Sequence, residues 1–229
     1  MRVIVNEPLI TKEATAARRI ITIGLVLLFA AMVLSFNPRS LLAAYLIMLL
    51  GIVLLNWGAI RGNKWLRDPR FDQELGKVLK GLNQGLRLYH YVLPADHVLL
   101  SPAGLFVLLV KPQEGQIACH GEKWRHRFNL GRFLRTLFEE RLGNPTKQAQ
   151  LQAEKLQRFL AKHLPDAEIP IQPIIVFSHP KAELDITEPV VPVMRIGELK
   201  AYLRNATAKK ALRQDTLKTL ADLFDEQAP

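Results

Sequence analysis

Cysteine is almost absent from this chain, since Cys119 is the only one among its 229 residues. A single thiol excludes a disulfide within the chain and a metal site built from several cysteines. The glycine-rich loop that cradles phosphate groups is also missing, and neither Ser101 nor Ser178 lies on the sharp turn that exposes a nucleophilic serine. The sequence therefore gives no support to a disulfide scaffold, a P-loop nucleotide site or a serine hydrolase.

Acidic residues are in short supply, with 21 Asp and Glu against 31 Lys and Arg and a formal net charge of +10. Such a balance suits a partner that carries phosphate, either a nucleic acid or an anionic lipid surface. The alternative is a basic surface beside a membrane, because the cytoplasmic loops of membrane proteins are basic for reasons of topology. Charge alone favours this alternative.

Two stretches near the N-terminus, residues 20–36 and 41–60, carry no charged residue. Each is close to the roughly 20 residues that a helix needs to cross a bilayer core of about 30 Å. The tetrapeptide "NPRS" separates them, and its proline cannot continue a helix. The pattern predicts a transmembrane helical hairpin. It argues against a cleaved signal peptide, because a second apolar run follows the first at once.

Basic residues flank the hairpin on one side. They are Lys12, Arg18 and Arg19 before the first stretch, and Arg61, Lys64, Arg67 and Arg70 after the second. The connecting turn carries only Arg39. Because lysine and arginine stay inside, we expect a multi-pass protein of the inner (cytoplasmic) membrane with both termini in the cytoplasm.

The remaining residues predict a mixed α/β layer fold, in which helices flank a sheet. Asn144 and Pro145 form a natural start for the strongest helix. The predicted helices are 71–86, 144–163, 197–204 and 207–225. The predicted strands are 98–100, 105–110, 169–178 and 191–196, with a further strand or hairpin in 115–128.

An acid and a lysine stand at the ends of two neighbouring predicted strands. Asp96 opens the first and Lys111 closes the second, so a hairpin around the turn at 101–104 brings them to one end of the sheet. In a metal-assisted phosphodiesterase the acid binds Mg²⁺ and the lysine steadies charge. The alternative, favoured on the residues alone, is a solvated lysine paired with a nearby acid.

A second candidate site is the stretch "GEKWRHRFNLGRFLR", which interleaves basic and aromatic residues. Lys123, Arg125, Arg127 and Arg132 can reach phosphate groups while aromatic rings stack on bases. Under the alternative interpretation, the aromatic rings pack into the core and only the charges are exposed. The histidines here have no convincing metal-ligand spacing.

Five motifs in order resemble a known family. They are "DHVLLSPAGLFVLLVK", "GEKW", "NPTKQAQLQAEKLQRFL", "IPIQPIIVFS" and "VPVMRIGELKAYL". Their order and spacing resemble the nuclease-related domain, NERD, over about residues 71–204. The resemblance implies a PD-(D/E)XK-like mixed sheet flanked by helices. The expected segments are 1–19 N-terminal, 20–60 hairpin, 61–70 basic linker, 71–204 NERD-like and 205–229 C-terminal helix.

The resemblance also implies where a nuclease site would lie. Glu74 matches the acid of the first helix, Asp96 the strand aspartate, Lys111 the catalytic lysine and Gln148 the helix glutamine. The glutamate of the Glu-x-Lys motif falls on Leu109, which offers no metal ligand. Asp96 then remains as a weak metal ligand. Two other acids that follow in the chain, Glu114 and Glu122, lack the motif spacing.

We therefore expect a membrane-anchored, catalytically degenerate nuclease-related domain that binds DNA, RNA or a protein partner. No cofactor is certain. Two alternatives remain open, namely an active Mg²⁺-dependent nuclease with a displaced carboxylate, and a scaffold with no role in nucleic-acid binding. The missing acid makes an enzyme less expected than a binding module.

Overall fold

The computed structural model describes residues 1–82, 85–127, 141–165, 167–207 and 212–229. Two compact units divide the chain, one containing Met1–Asn6 with most of the chain from Phe71 onward and the other containing Glu7–Arg70. The apolar hairpin is therefore an insertion in the sheet-containing domain. The first residues of that domain lie before the hairpin, which the sequence did not predict for residues 1–19.

The hairpin consists of α1 (Glu7–Ser35) and α2 (Leu41–Trp65). Both helices are long and apolar enough to cross a membrane. A single 3-10 turn at Pro38–Ser40 joins them, and the side chain of Asn37 accepts a hydrogen bond from the backbone N–H of Arg39 at its start. The prediction of two apolar helices is confirmed. Helix α1 begins at Glu7, before the uncharged stretch, and its first turns include charged residues.

Small residues line the seam between α1 and α2 at intervals of seven. The buried small residues at this spacing are Ala17, Gly24 and Ala31 on α1, and Ala44, Gly51 and Gly58 on α2. A Cβ added to Gly51 would lie 2.9 Å from a methyl carbon of Leu28 and 3.1 Å from the carbonyl oxygen of Gly24. The two backbones approach so closely because glycine has no side chain there.

Ion pairs join α1 to the end of α2 and to the residues that follow α2, on the side of the hairpin away from its turn. Arg61 pairs with Glu13, and Arg70 Nη2 lies 3.0 Å from Glu7 Oε1. The ammonium group of Lys64 lies 4.9 Å from the centre of the Trp65 ring. Charged groups and an indole ring suit a membrane–water interface.

The main sheet of the sheet-containing unit, in the described part of the chain, has six strands in the order β1-β2-β3-β4-β7-β9. Only β3 runs against the others. The carboxyl ends of the remaining strands therefore meet at one edge, which we call the carboxyl edge. The strands are β1 (Arg2–Val5), β2 (Arg87–His90), β3 (His97–Ser101), β4 (Gly104–Lys111), β7 (Ile171–Phe177) and β9 (Val193–Arg195).

Helices cover both faces of this sheet. They are α3 (Phe71–Leu79), α4 (Pro145–His163), α5 (Ile196–Ala206) and α6 (Gln214–Glu226). Helices α3 and α5 pack on one face, which we call the α3 face, and the core there includes Leu75, Leu108 and Leu199. Helices α4 and α6 pack on the other, the α4 face, and the core there includes Val107, Leu156 and Phe224. Strand β4 is buried on both faces, in keeping with its unbroken apolar run from Leu105 to Val110.

A smaller sheet follows the order β6-β5-β8, formed by β5 (Gly115–His120), β6 (Lys123–Arg127) and β8 (Ala182–Thr187). Its inner face is buried around Ile117 and Ala182. Cys119 is also buried, and burial raises the pKa of its thiol. A thiol with a raised pKa is a poor nucleophile, so this cysteine serves packing.

The predicted mixed α/β class and most predicted elements are confirmed, including the capped start of α4 at Asn144, whose side chain accepts from the backbone N–H of Lys147. Helix α3 is shorter than the predicted 71–86 and ends at Leu79. The predicted helix 207–225 begins only at Gln214, and residues 208–211 lie outside the described chain. Strands β1, β2 and β8 were not predicted.

Asp225 of α6 ties the two ends of the chain to the sheet. It accepts hydrogen bonds from Arg87 at 2.6 Å, from the Tyr89 hydroxyl at 2.8 Å and from Arg2 at 3.3 Å. Burial, followed by the hydrogen bond to Asp225, raises the pKa of Tyr89. The tyrosine therefore stays a neutral donor, and this contact holds α6 on β1 and β2.

Candidate functional site at the carboxyl edge

Buried polar side chains concentrate at the carboxyl edge of the main sheet. They are His90, His97, Lys111, Gln113 and Ser178. Each lies at a strand end or within two residues of one, where β2, β4 and β7 stop and β3 begins. Ligand sites of open α/β sheets form outside the carboxyl ends of their strands. The carboxyl edge is therefore the candidate ligand site of the domain.

Asp96 is half-buried directly before β3. Its carbonyl oxygen accepts from the backbone N–H of Tyr91 at 2.8 Å, which closes the turn after β2. Its carboxylate accepts from Gln152 Nε2 at 3.2 Å, and its backbone N–H donates to Gln152 Oε1 at 3.4 Å. This double contact fixes Asp96 against α4.

The glutamine that meets Asp96 is thus Gln152, which sequence reasoning missed. Gln148, the predicted glutamine, lies one helical turn earlier and half-buried. A Cβ added to Gly143 would lie 3.0 Å from its amide nitrogen. Residues four apart share one face of a helix, so the spacing in "QAQLQ" admitted both glutamines. The role assigned to Gln148 stays a prediction.

Leu109, which the family resemblance predicts at the position of the missing acid, is part of the core. Val98 pairs with Val107, and continuing this antiparallel register by two residues brings Asp96 opposite Leu109. Leu109 is only 7% exposed and belongs to a cluster with Ala149 and Phe177. The register therefore places position 109 on the strand next to Asp96, and the side chain there is a packed hydrocarbon.

Lys111 ends β4 with only 2% of its surface exposed. It lies in register beside Phe177, and its carbonyl oxygen accepts from the backbone N–H of Ser178 at 2.9 Å. The alternative of a solvated lysine at a strand tip is therefore wrong. Since residues two apart on a strand face the same way, Lys111 and Leu109 share the α4 face of the sheet.

Glu74 belongs to α3, on the opposite face of the sheet from Leu109 and α4. It is half-buried in the first turns of that helix. Asp96, by contrast, contacts the helix on the other face through Gln152. The role of Glu74 stays a prediction.

Glu114, which follows Lys111 by three residues, is held firmly at the same edge. His179 Nε2 lies 3.3 Å from Glu114 Oε2, and the glutamate side chain is only 13% exposed. His179 Nδ1 accepts from the backbone N–H of Lys181, so the ring donates to Glu114 from Nε2. His126 Nε2 lies 2.7 Å from the Glu114 carbonyl oxygen. Sequence spacing alone did not reveal these partners.

Two buried histidines face each other across β2 and β3. The Nδ1 atoms of His90 and His97 lie 2.8 Å apart, and their rings meet edge to face. One ring must donate and the other accept at this distance, so the pair holds a proton between the two atoms. In the described part of the chain, no three His, Cys, Asp or Glu side chains are grouped to hold a metal ion.

In the basic and aromatic stretch, Trp124 packs into the core, as the alternative interpretation predicted for the aromatic rings. The indole N–H donates to Thr146 at 2.8 Å, and the ring lies 6.0 Å from that of Phe177. Lys123 and Arg125 are exposed on β6. Arg127 is the last residue of that strand, and Arg132 lies outside the described residues. Trp124 is therefore not free to stack on a base.

A family model of the nuclease-related domain, NERD, matches residues 61–178, just over half of the chain. The chain belongs to this family. No curated protein and no solved structure gives a significant match. The NERD match includes Glu74, Asp96, Lys111 and Gln148, and it ends at Ser178, after β7. The predicted boundaries 71–204 for the domain stay a prediction.

Proposed function

We propose that this NERD protein is anchored in the inner membrane, binds nucleic acid on the cytoplasmic side, and has lost the metal site of a nuclease. The observation that carries the proposal is Leu109, which fills the acid position of the motif and packs in the core. The relationship of the domain to PD-(D/E)XK nucleases belongs to the same proposal.

Loss of one carboxylate matters because hard divalent cations need several oxygen ligands. In an active relative of this design, Asp96 and the motif glutamate would hold Mg²⁺, which would supply Lewis acidity at the phosphate. Here Asp96 is engaged by Gln152, and Leu109 offers hydrocarbon. A carboxylate at 109 would lose its hydration inside an apolar cluster, so leucine stabilises the fold where an acid would serve chemistry.

Binding does not require the metal. A net charge of +10 attracts phosphate groups, and exposed Lys123 and Arg125 lie outside the core. The placement of both termini in the cytoplasm rests on the basic residues around the open end of the hairpin. Accessibility of a reporter fused to either terminus tests it, and a periplasmic reporter signal at either end would contradict it.

The test uses the full chain in nanodiscs of zwitterionic lipid. Affinity for labelled single-stranded DNA, duplex DNA and RNA is measured at low and high salt, with chelator or with Mg²⁺ and Mn²⁺. We expect binding that weakens with salt, is the same with chelator, and leaves the substrates intact. No measurable affinity at low salt would contradict nucleic-acid binding and favour a scaffold or a protein partner.

A second candidate function is an active nuclease in which Glu114 replaces the missing acid. The observation that favours it is the way His179 and His126 fix Glu114 at the carboxyl edge. It predicts metal-dependent cleavage that Glu114→Gln and Asp96→Asn both abolish. Glu122→Gln, an exposed acid on the next turn, is the matched control and should retain cleavage. Intact substrates with the wild-type chain would rule this candidate out.

A further inference from the structure

The exposed face of α4 carries a row of positive charge that its sequence position alone does not reveal. Its exposed positions include Lys147, Leu151, Lys155, Arg158 and Lys162, which we call the α4 stripe. The opposite side of the helix packs into the core through Ala149, Leu156 and Leu160. The stripe residues follow the three- and four-residue steps that keep side chains on one face of a helix.

The stripe is straight and long enough for several phosphate groups. At 1.5 Å per residue, Lys147 and Lys162 lie about 22 Å apart along the helix axis. Within helix α4 the only acid is Glu154, whose carboxylate lies 3.3 Å from Arg158. Three lysines remain along the stripe besides this pair. A line of cations at this scale matches a linear polyanion.

The stripe begins close to the β5–β6 turn. Asn144, the N-cap of α4, donates to the carbonyl oxygen of Glu122 at 3.3 Å, and Trp124 donates to Thr146. These contacts hold the turn against the start of α4. Lys123 directly follows Glu122, and both residues are exposed. Lys123 is therefore a further cation near the N-terminal end of the stripe.

The small sheet by itself is a poorer surface for phosphate. Arg125 on β6 and Asp185 on β8 both pair with Ala118 of β5, one from each side. Glu183 is exposed on the same acidic strand. Because opposite charges lie only two strand spacings apart there, their fields partly cancel. Within α4, by contrast, the four cations of the stripe share the helix with a single acid, Glu154.

Leu151 adds an apolar contact point at the middle of the stripe. It is 47% exposed, and outside the hairpin the other exposed large apolar side chains in the described chain are Val3 and Val190. An aliphatic side chain between two lysines can lie against a sugar or a base while the ammonium groups reach phosphates.

We propose that the α4 stripe is the surface that follows the phosphate backbone of a nucleic acid, an inference that rests on the proposed function. Its one apolar member, Leu151, is too small for the broad apolar face with which an interfacial helix enters a lipid surface, so a linear polyanion is favoured.

The test compares two triple variants of the full chain in zwitterionic nanodiscs. The stripe variant carries Lys147→Gln, Lys155→Gln and Lys162→Gln. The control carries Lys77→Gln, Lys80→Gln and Arg204→Gln, three exposed cations on the α3 face. Both lose three charges, and glutamine is a good helix former, so folding is kept. Affinity for single-stranded oligonucleotides is titrated with salt, and binding to vesicles rich in phosphatidylserine is measured in parallel.

We expect the stripe variant to lose roughly tenfold or more in affinity and the control to change by less than about threefold. The slope of log affinity against log salt should become shallower by about 2 in the stripe variant, because three phosphate contacts are removed. Equal losses in both variants, or a loss of vesicle binding alone, would overturn the inference while leaving the proposed function intact. Absence of binding by the wild-type chain would instead contradict the proposed function.

Discussion

The hairpin and the sheet domain of this protein are packed in opposite ways. In the hairpin, small residues such as Gly24 and Gly51 lie inside, while large apolar side chains such as Phe29 and Leu46 lie outside. In the sheet domain, the large apolar side chains are buried, as at Leu108 and Phe177. The difference is the one expected if the hairpin is surrounded by lipid and the sheet domain by water.

Lipid tails are as apolar as leucine, so burying large side chains between two membrane helices gains little. Close backbone approach then supplies the packing energy, which explains the glycines. Water makes burial of Leu108 favourable and exposure of Phe29 unfavourable. The inside-out hairpin therefore supports the membrane anchor on grounds other than length and hydropathy.

The largest effect should come from truncating a buried leucine of the sheet domain. Leu108→Ala removes a fully buried side chain and should cost about 2–5 kcal/mol of unfolding free energy. Leu46→Ala, on the outer face of the hairpin, should change the stability of the sheet domain by far less. Denaturant unfolding in nanodiscs, followed by tryptophan fluorescence, measures both. Equal effects would mean that Leu46 is not exposed to lipid.

A bulky residue in the seam should disrupt the hairpin. Gly51→Leu places carbon atoms where Leu28 and the Gly24 carbonyl now lie, and overpacking of this kind costs about 1–3 kcal/mol. Ala43→Leu, on the exposed side of the same helix, is the matched control. Cross-linking between α1 and α2 should fall in the first variant only. Unchanged cross-linking would show that the helices do not meet at this seam.

Tyr89→Phe should have a moderate, pH-dependent effect. Loss of its hydrogen bond to Asp225 should cost about 1 kcal/mol near neutral pH. Because the folded pKa of Tyr89 is raised, its contribution to stability is present below the unfolded phenol pKa of about 10 and is lost as pH rises above that value. Wild type should therefore lose stability more steeply than Tyr89→Phe in alkali. Parallel pH profiles would contradict the assignment.

The smallest expected effect is on the rate at which the thiol of Cys119 is labelled. Burial raises the pKa of its thiol, so a maleimide should label the folded chain slowly at neutral pH and the denatured chain quickly. Labelling rates with and without denaturant measure the difference. Rapid labelling of the folded protein would show that the small sheet opens.

Local sequence patterns predicted the elements whose causes are local. The cap at Asn144, the apolar run of β4 and the turn at Pro38 each depend on a few adjacent residues. Strand β1 was missed because a four-residue strand is stabilised by its partner β2, which lies some 80 residues further along the chain. Its strand character is a long-range property.

The same distinction between local and long-range causes applies to the residues of the candidate site. Asp96 and Lys111 stood out through motif spacing, and the register of β3 and β4 brings Asp96 opposite Leu109. Gln152 and the partners of Glu114 depend on how α4 and the residues after β7 pack, which spacing does not reveal. The seven-residue interval of small residues in the hairpin was visible in the sequence and could have been found.

Titration of the wild-type chain with Mn²⁺ tests the central claim most directly, because it asks whether Asp96 still belongs to a metal site. Thermal unfolding of the wild type and of Asp96→Asn is followed at increasing Mn²⁺ in nanodiscs. We predict that the metal shifts both midpoints equally, since a cation that binds no folded site adds no specific stability. A rise in the wild-type midpoint that Asp96→Asn abolishes would show an intact metal site and contradict the account.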